Sequence, residues 1–469
     1  MTIQRYHLKI IFLIMTIQNS YAEPMSPKSL FYRCYSQITQ SYLPPNHPLL
    51  SQVQSGNLNP INACLQVLSK ANFTTNNNSR ISNTSDLEAR SVLNTFQRLH
   101  YSWFSQRNIV TPDQNRGERD THDVGAPAAF YTKAFFDINM KFSDIFSGKN
   151  NYETLRINSL NLAPFTMLPA ENFGFSVPNL SSSGDLVGVT NTGERCVSWI
   201  GGNGTNGSGC WGKSLGGGVL GSQPYIMLNL AENTTYRSNG GLNMGRNWGE
   251  KVYKDFFCRS LPVVRETEVI NRNDAFGKPL VEPSSEISFR NSPSCVSCHA
   301  SMDRLSNFIR SAHFSHRSPG DDERTGRVGY WIHHGIVDRA AETRWPISND
   351  RDFWRRPASG DVFYTGHDGR LVNRHFTSLE AAGQFIATQD EVYVCAAKRY
   401  FEYFTGIDVE IGDIANPSYP KSLSSTEMNL RNDIIQMARS MKQHQNPQTL
   451  IREILNHPVY SRSNLNINK

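Results

Sequence analysis

Apolar residues recur at three- and four-residue spacing through most of the chain, a periodicity that predicts a mainly α-helical protein. After Ser26-Pro27, a capping residue followed by a proline suited to the first helical turn, Leu30, Cys34 and Ile38 share one face. Asn59-Pro60 repeats the device ahead of Ile61, Cys64, Leu65 and Leu68. The polar, aperiodic run from 71 to 84 reads as a linker. Ser85-x-x-Glu88 then has the capping-box form and precedes a helix with Val92, Phe96, Leu99 and Trp103 inward. His100 lies beside that face and reads as a packed core histidine rather than a ligand. A second strong helix is predicted from Ala128 to Phe146, with Tyr131, Phe135, Ile138, Phe142 and Ile145 inward.

From Asn151 to Tyr225 the helical signal fades into short apolar runs among Gly, Asn and Ser. It returns between Asn247 and Cys258, where Trp248, Val252 and Phe256 align. Beyond Trp354, four start signals (Thr377-x-x-Glu380, Thr388-x-x-Glu391, Ser424-x-x-Glu427 and Asn446-Pro447) predict four more helices.

At the N-terminus, Arg5 and Lys9 flank a short apolar run from Ile10 to Ile17, and Ser20-Tyr21-Ala22 has the small-x-small form of a cleavage site. This predicts a signal peptide over 1–22 and a periplasmic or otherwise exported protein. The apolar run is shorter than the roughly 20 residues of a membrane-spanning helix, so no integral membrane segment is expected. The formal charge of +6 is a mild excess, and its Lys and Arg residues are scattered rather than gathered into a tract, which argues against nucleic acid as a partner.

The densest chemistry lies at Ser294-Cys295-Val296-Ser297-Cys298-His299, where Cys295, Cys298 and His299 form C-x-x-C-H, the signature of covalent c-type haem attachment. Two thiols one turn apart can each add to a haem vinyl group, and the adjacent imidazole becomes the proximal iron ligand. A disulfide or half of a zinc site would use the same residues, but zinc needs a second ligand pair at matching spacing. No second C-x-x-C-H occurs, so one haem c is expected. For the distal side, His333 or His334 leads, since a vicinal pair among aromatics turns one imidazole inward; His313 or His316 and then Met437 follow. Met302, one turn from His299, lies on the proximal side and is a poor distal ligand.

Six cysteines remain, an even number that suits an exported protein. Proximity favours Cys34-Cys64 and Cys196-Cys210, leaving Cys258-Cys395. A formal P-loop match, Gly207 to Ser214, is set aside because it follows a Gly/Asn run and leads into Gly216-Gly217-Gly218, where no helix should start.

Several landmarks then occur in order: Trp248 to Pro262 with its Cys258-x-x-Leu261-Pro262 ending; Cys295-x-x-Cys298-His299-x-x-Met302-Asp303; Asp368-Gly369-Arg370; Cys395 to Gly406; and Leu455 to Pro458. Over roughly 215–460 the chain resembles large exported bacterial cytochrome c-like proteins built from tandem domains of unknown function. That resemblance implies haem-linked electron transfer outside the cytoplasm. The chain departs from the pattern after Asp303, where Arg304-Leu305-Ser306-Asn307-Phe308 stands in place of Pro and a Gly-Phe segment.

The expected organisation is a signal peptide (1–22), a disulfide-clipped helical segment (23–75), a helical domain with an irregular Gly-rich part (85–225), a cytochrome c-like haem-binding region (226–345) and a C-terminal helical domain (346–469). The expected fold is mainly α, with multi-helical domains around a covalently bound haem. The expected function is that of an exported monohaem c-type cytochrome exchanging electrons with a redox protein or a small-molecule donor or acceptor. The alternatives are a haem enzyme, peroxidase- or oxidase-like, with an open distal site, or a haem-free cell-envelope interaction protein. No residue is singled out as catalytic.

Overall fold

The computed structural model describes residues 24–73, 86–104, 126–147, 151–154, 186–189, 195–200, 206–211, 215–221, 225–226, 240–273, 292–309, 312–317, 327–332, 359–416 and 422–462. The signal-peptide expectation, the 74–85 stretch and the His333-His334 pair lie outside them. The described residues are mainly helical, in chain order α1 (Pro27–Thr39), α2 (Pro48–Gln54), α3 (Pro60–Ser69), α4 (Leu87–Trp103), α5 (Ala126–Phe136), α6 (Asp144–Ser147), α7 (Gly240–Phe257), α8 (Glu266–Ile270), α9 (Pro293–Ser306), α10 (Leu379–Ile386), α11 (Asp390–Thr405), α12 (Ser425–His444) and α13 (Pro447–Asn456). Among the described residues, eight short strands form four antiparallel pairs: β1 (Asn151–Thr154) with β2 (Leu186–Val189), β3 (Arg195–Ile200) with β4 (Asn206–Trp211), β5 (Ala312–Arg317) with β6 (Arg327–Ile332), and β7 (Gly360–Thr365) with β8 (Leu371–Phe376). Of β1 to β6 the backbone alone is described.

The helix starts follow their caps. Ser26 Oγ accepts the Ser29 N–H at 3.1 Å, Asn59 Oδ1 accepts that of Ile61 at 2.8 Å, and Ser424 with Glu427 closes a reciprocal capping box. Three expected starts shift. The cap of α4 is Asp86, whose Oδ1 accepts the N–H groups of Glu88 and Ala89. Glu88 instead reaches His47 at 3.0 Å and Lys70 at 2.6 Å, tying α4 to the start of α2 and the end of α3. Ser378 rather than Thr377 caps α10, and α11 starts from Gln389, which makes no side-chain cap.

The helix expected from Ala128 to Phe146 is two helices. Phe73 donates its N–H to the Phe136 carbonyl and accepts that of Ile138, while Asp137 Oδ1 accepts the Asn139 N–H; each hydrogen bond diverts a backbone group that a continuing helix would use. Ile138, expected inward, is consequently 64% exposed. The P-loop match falls partly on β4, which pairs with β3, in line with its rejection.

One contiguous hydrophobic core runs from Leu30 to Tyr460, so helices from the N-terminal, middle and C-terminal segments pack into the same interior. Its centre is aromatic: Phe96, Trp103, Tyr131, Phe135, Phe256 and Tyr400 are all buried. Within it His100 is fully buried, with Nδ1 at 2.8 Å from Thr132 Oγ1 and Nε2 at 2.7 Å from Tyr400 Oη, which is the packed histidine the sequence predicts. Disulfides join Cys34 to Cys64 across α1 and α3, and Cys258 to Cys395 between the end of α7 and α11. For the third expected pair, the backbone register sets Cys196 opposite Cys210.

Candidate functional site

A smaller apolar cluster, separate from the main core, lies under α9: Val296 and Ala300 pack with Val264, Val269 and Phe363. Val296 and Ala300 are four residues apart and so fall on one helical face, while Ser301, Met302 and Leu305 bury further faces of α9. The motif sits at the N-terminal part of the helix, where exposure is greatest. Cys295 is exposed, Cys298 is half-buried and the His299 side chain is 25% exposed. Neither Cys295 nor Cys298 is in a disulfide.

The helix is fixed on two further sides. Arg304 points to β7, 3.0 Å from Asp361 across an ion pair and stacked over the Phe363 ring at 4.9 Å. Its guanidinium also donates to Asn373 Oδ1 and to the Asn273 carbonyl. On the other side α9 crosses α7 at two glycines one turn apart. A Cβ on Gly249 would stand 2.7 Å from the Met302 carbonyl oxygen, and one on Gly245 would press against the Ser306 side chain at 3.2 Å. This near approach of two backbones needs glycine in α7.

The close crossing delivers a side chain to the motif. Arg246, next to Gly245, donates from Nε to Asp303 Oδ1 at 2.9 Å and from Nη2 to Oδ2 at 3.2 Å, a bidentate guanidinium–carboxylate pair. Asp303, one turn beyond His299 on α9, holds both carboxylate oxygens 3.2 Å from His299 Nδ1. Burial pushes the Asp303 carboxyl up, but the hydrogen bonds from His299 and Arg246 and the Arg246 charge outweigh it, so it lies below its ordinary value. An ionised carboxylate only accepts, so Nδ1 carries the ring proton and donates it to Asp303. Burial raises the Cys298 thiol above its ordinary value, with the Ser297 hydrogen bond opposing and the Cys295 and Glu250 charges adding.

These residues fit a covalently attached haem on two observations: the thiols are in no disulfide, whereas Cys34, Cys64, Cys258 and Cys395 are paired, and the imidazole is held through Nδ1, the nitrogen that does not take iron when Nε2 coordinates. Such a cofactor asks the chain for two thiols and an imidazole. It does not need a cluster of protein ligands, and among the described residues no group of three or more His, Cys, Asp or Glu is placed to hold a metal ion.

The distal candidates separate. Met437 is buried in α12, on the face that packs in the main core. Two histidines outside that set are occupied elsewhere: His367 is buried with Nδ1 at 3.0 Å from Glu391, and His375 pairs with Asp361 at 2.6 Å. His313 and His316 lie on β5, opposite Trp331 and Val328, and β5 runs against α7. Sequence reading quoted Asp303 as part of the motif but missed Arg246; the Gly245-x-x-x-Gly249 spacing is the signal of a close helix crossing that could have drawn attention to it.

Comparison with protein-family models, with curated proteins and with solved structures finds no match.

Proposed function

We propose that the chain is an exported monohaem c-type cytochrome, with Cys295 and Cys298 as the thioether positions and His299 as the proximal ligand. The observation that carries this reading is the placement of the two thiols, neither in a disulfide, and the Asp303-anchored imidazole within five residues of one packed helix, with Cys295 exposed and Cys298 and His299 partly so. Each thiol would add across a vinyl group, sulfur to one carbon and hydrogen to the other, so that two carbon–sulfur bonds form without net oxidation. A haem held this way exchanges one electron between ferric and ferrous iron. Val296 and Ala300 seat the helix, Arg304 fixes its rotation against β7, and Asp303 fixes the ring plane of His299.

Export is part of the proposal, because disulfides persist in oxidising compartments and the described residues include two. Among the described residues no helix is long and apolar enough to cross a membrane. The likeness to the tandem-domain cytochrome c-like proteins remains a reading of the C-x-x-C-H-x-x-M-D motif and its flanks.

The test of electron transfer is the spectrum of the purified, haem-loaded protein with and without cyanide. Reversible one-electron reduction and a low-spin spectrum indifferent to cyanide are expected. Rapid cyanide binding, or turnover with peroxide, would overturn electron transfer in favour of a haem enzyme with an open distal site.

A further inference from the structure

We propose that Asp303 and Arg246 are positioning residues that set the reduction potential at His299, and that they act with opposite sign through one chain of hydrogen bonds. The inference rests on the proposed haem ligation by His299 and adds to it two residues and a direction.

The geometry is a relay of three groups from two helices. His299 and Asp303 are four residues apart on α9 and face each other at 3.2 Å. Arg246 comes from α7 and occupies the same two carboxylate oxygens at 2.9 and 3.2 Å, reaching them because Gly245 and Gly249 let the helices approach. A carboxylate accepting the Nδ1 proton makes the imidazole a stronger electron donor at Nε2 than a neutral acceptor would. Its negative charge also favours ferric over ferrous iron, since ferric carries the extra positive charge. Both effects lower the potential. Arg246 opposes them, drawing charge from the carboxylate it shares with His299 and adding a positive charge of its own. The potential is thus set by how Asp303 is divided between a ring and a guanidinium.

Two nearly isosteric substitutions separate this from a merely structural role. Asp303→Asn keeps the size and an acceptor but removes the charge; Arg246→Gln keeps a donor but removes the charge and the bidentate grip. With haem attached in the full-length protein, spectroelectrochemical titration is expected to show a higher potential for Asp303→Asn and a lower one for Arg246→Gln. In the double variant, the effect of Arg246→Gln is expected to shrink, because the carboxylate through which it acts is gone. Unchanged potentials, shifts in the same direction, or fully additive shifts in a normally loaded protein would overturn the inference and leave the haem proposal standing. If Asp303→Asn does not mature, Arg246→Gln and Arg246→Lys still decide it, since Lys retains the charge without the fork and should fall between wild type and Gln. A wild-type protein that matures without covalent haem would remove this inference together with the reading beneath it.

Discussion

His299 is held by a carboxylate one helical turn away, and that carboxylate is held in turn by another helix; His100, by contrast, is held entirely inside the core. The His100 tautomer follows from its neighbours. Thr132 gives its hydroxyl proton to the Ala128 carbonyl at 2.8 Å, so its oxygen accepts from His100 Nδ1–H, and the bare Nε2 accepts from Tyr400. Burial, with the Arg399 charge adding, lowers the His100 pKa to about 3. An unfolded chain binds a proton at this residue near its ordinary pKa of about 6.5, and the folded chain does not until about 3, so between those values the unfolded state binds more protons. Stability from this residue is complete above the upper value and is lost as pH falls through the window. The expected outcome is that wild type loses up to about 1.4 kcal/mol more per pH unit below 6.5 than His100→Gln does, measured by denaturant unfolding; parallel curves would contradict it. At this scale the sequence was partly legible. His100 could be placed beside an apolar helical face, whereas Arg246 lies 57 residues from Asp303, and only the crossing of two helices reveals its role.

Helix existence was more legible than helix limits. Caps such as Ser26, Asn59, Ser424 and Asn446 act within three residues, so local sequence specifies them. The end of α5 depends on Phe73, more than sixty residues upstream, and no local pattern announces it. The β7–β8 hairpin had a local signal that was read only as a family landmark: Asp368-Gly369 between apolar runs, with Gly369 at φ 78°. Its partner, α9, was placed by motif, and its seat by tertiary contacts. The α7–α9 crossing gives an element-scale prediction. Gly249→Ala drives a methyl group into the Met302 carbonyl, so a destabilisation of about 1–3 kcal/mol is expected, with a lower yield of haem-loaded protein. Unfolding midpoints and haem-to-protein ratios check it, and a variant equal to wild type in both would show that the helices separate without cost.

Across the whole molecule, segments that composition divides share one interior. The described ends meet: Met25 donates its N–H to the Ser461 carbonyl at 2.8 Å, and Arg33 donates to the Tyr460 carbonyl while stacking on that ring. The Cys258-Cys395 bond spans a separation of 137 residues and joins α7, which bears Arg246, to the C-terminal helices. Its replacement by two serines is expected to cost about 2–5 kcal/mol, read as a lower denaturant midpoint; an unchanged midpoint would contradict a structural role. An even cysteine number left Cys258 and Cys395 to each other once nearer cysteines were matched, but a shared core is a property of packing that polar runs between helices do not disclose.

The most direct measurement is the intact mass, under denaturing conditions, of the protein produced with its own N-terminal segment in a host that matures c-type cytochromes, beside a Cys295→Ser, Cys298→Ser variant. The account predicts a wild-type mass raised by one haem and a variant without it. A folded, exported wild-type protein with no added mass would contradict covalent haem and leave Cys295 and Cys298 as a thiol pair of another kind.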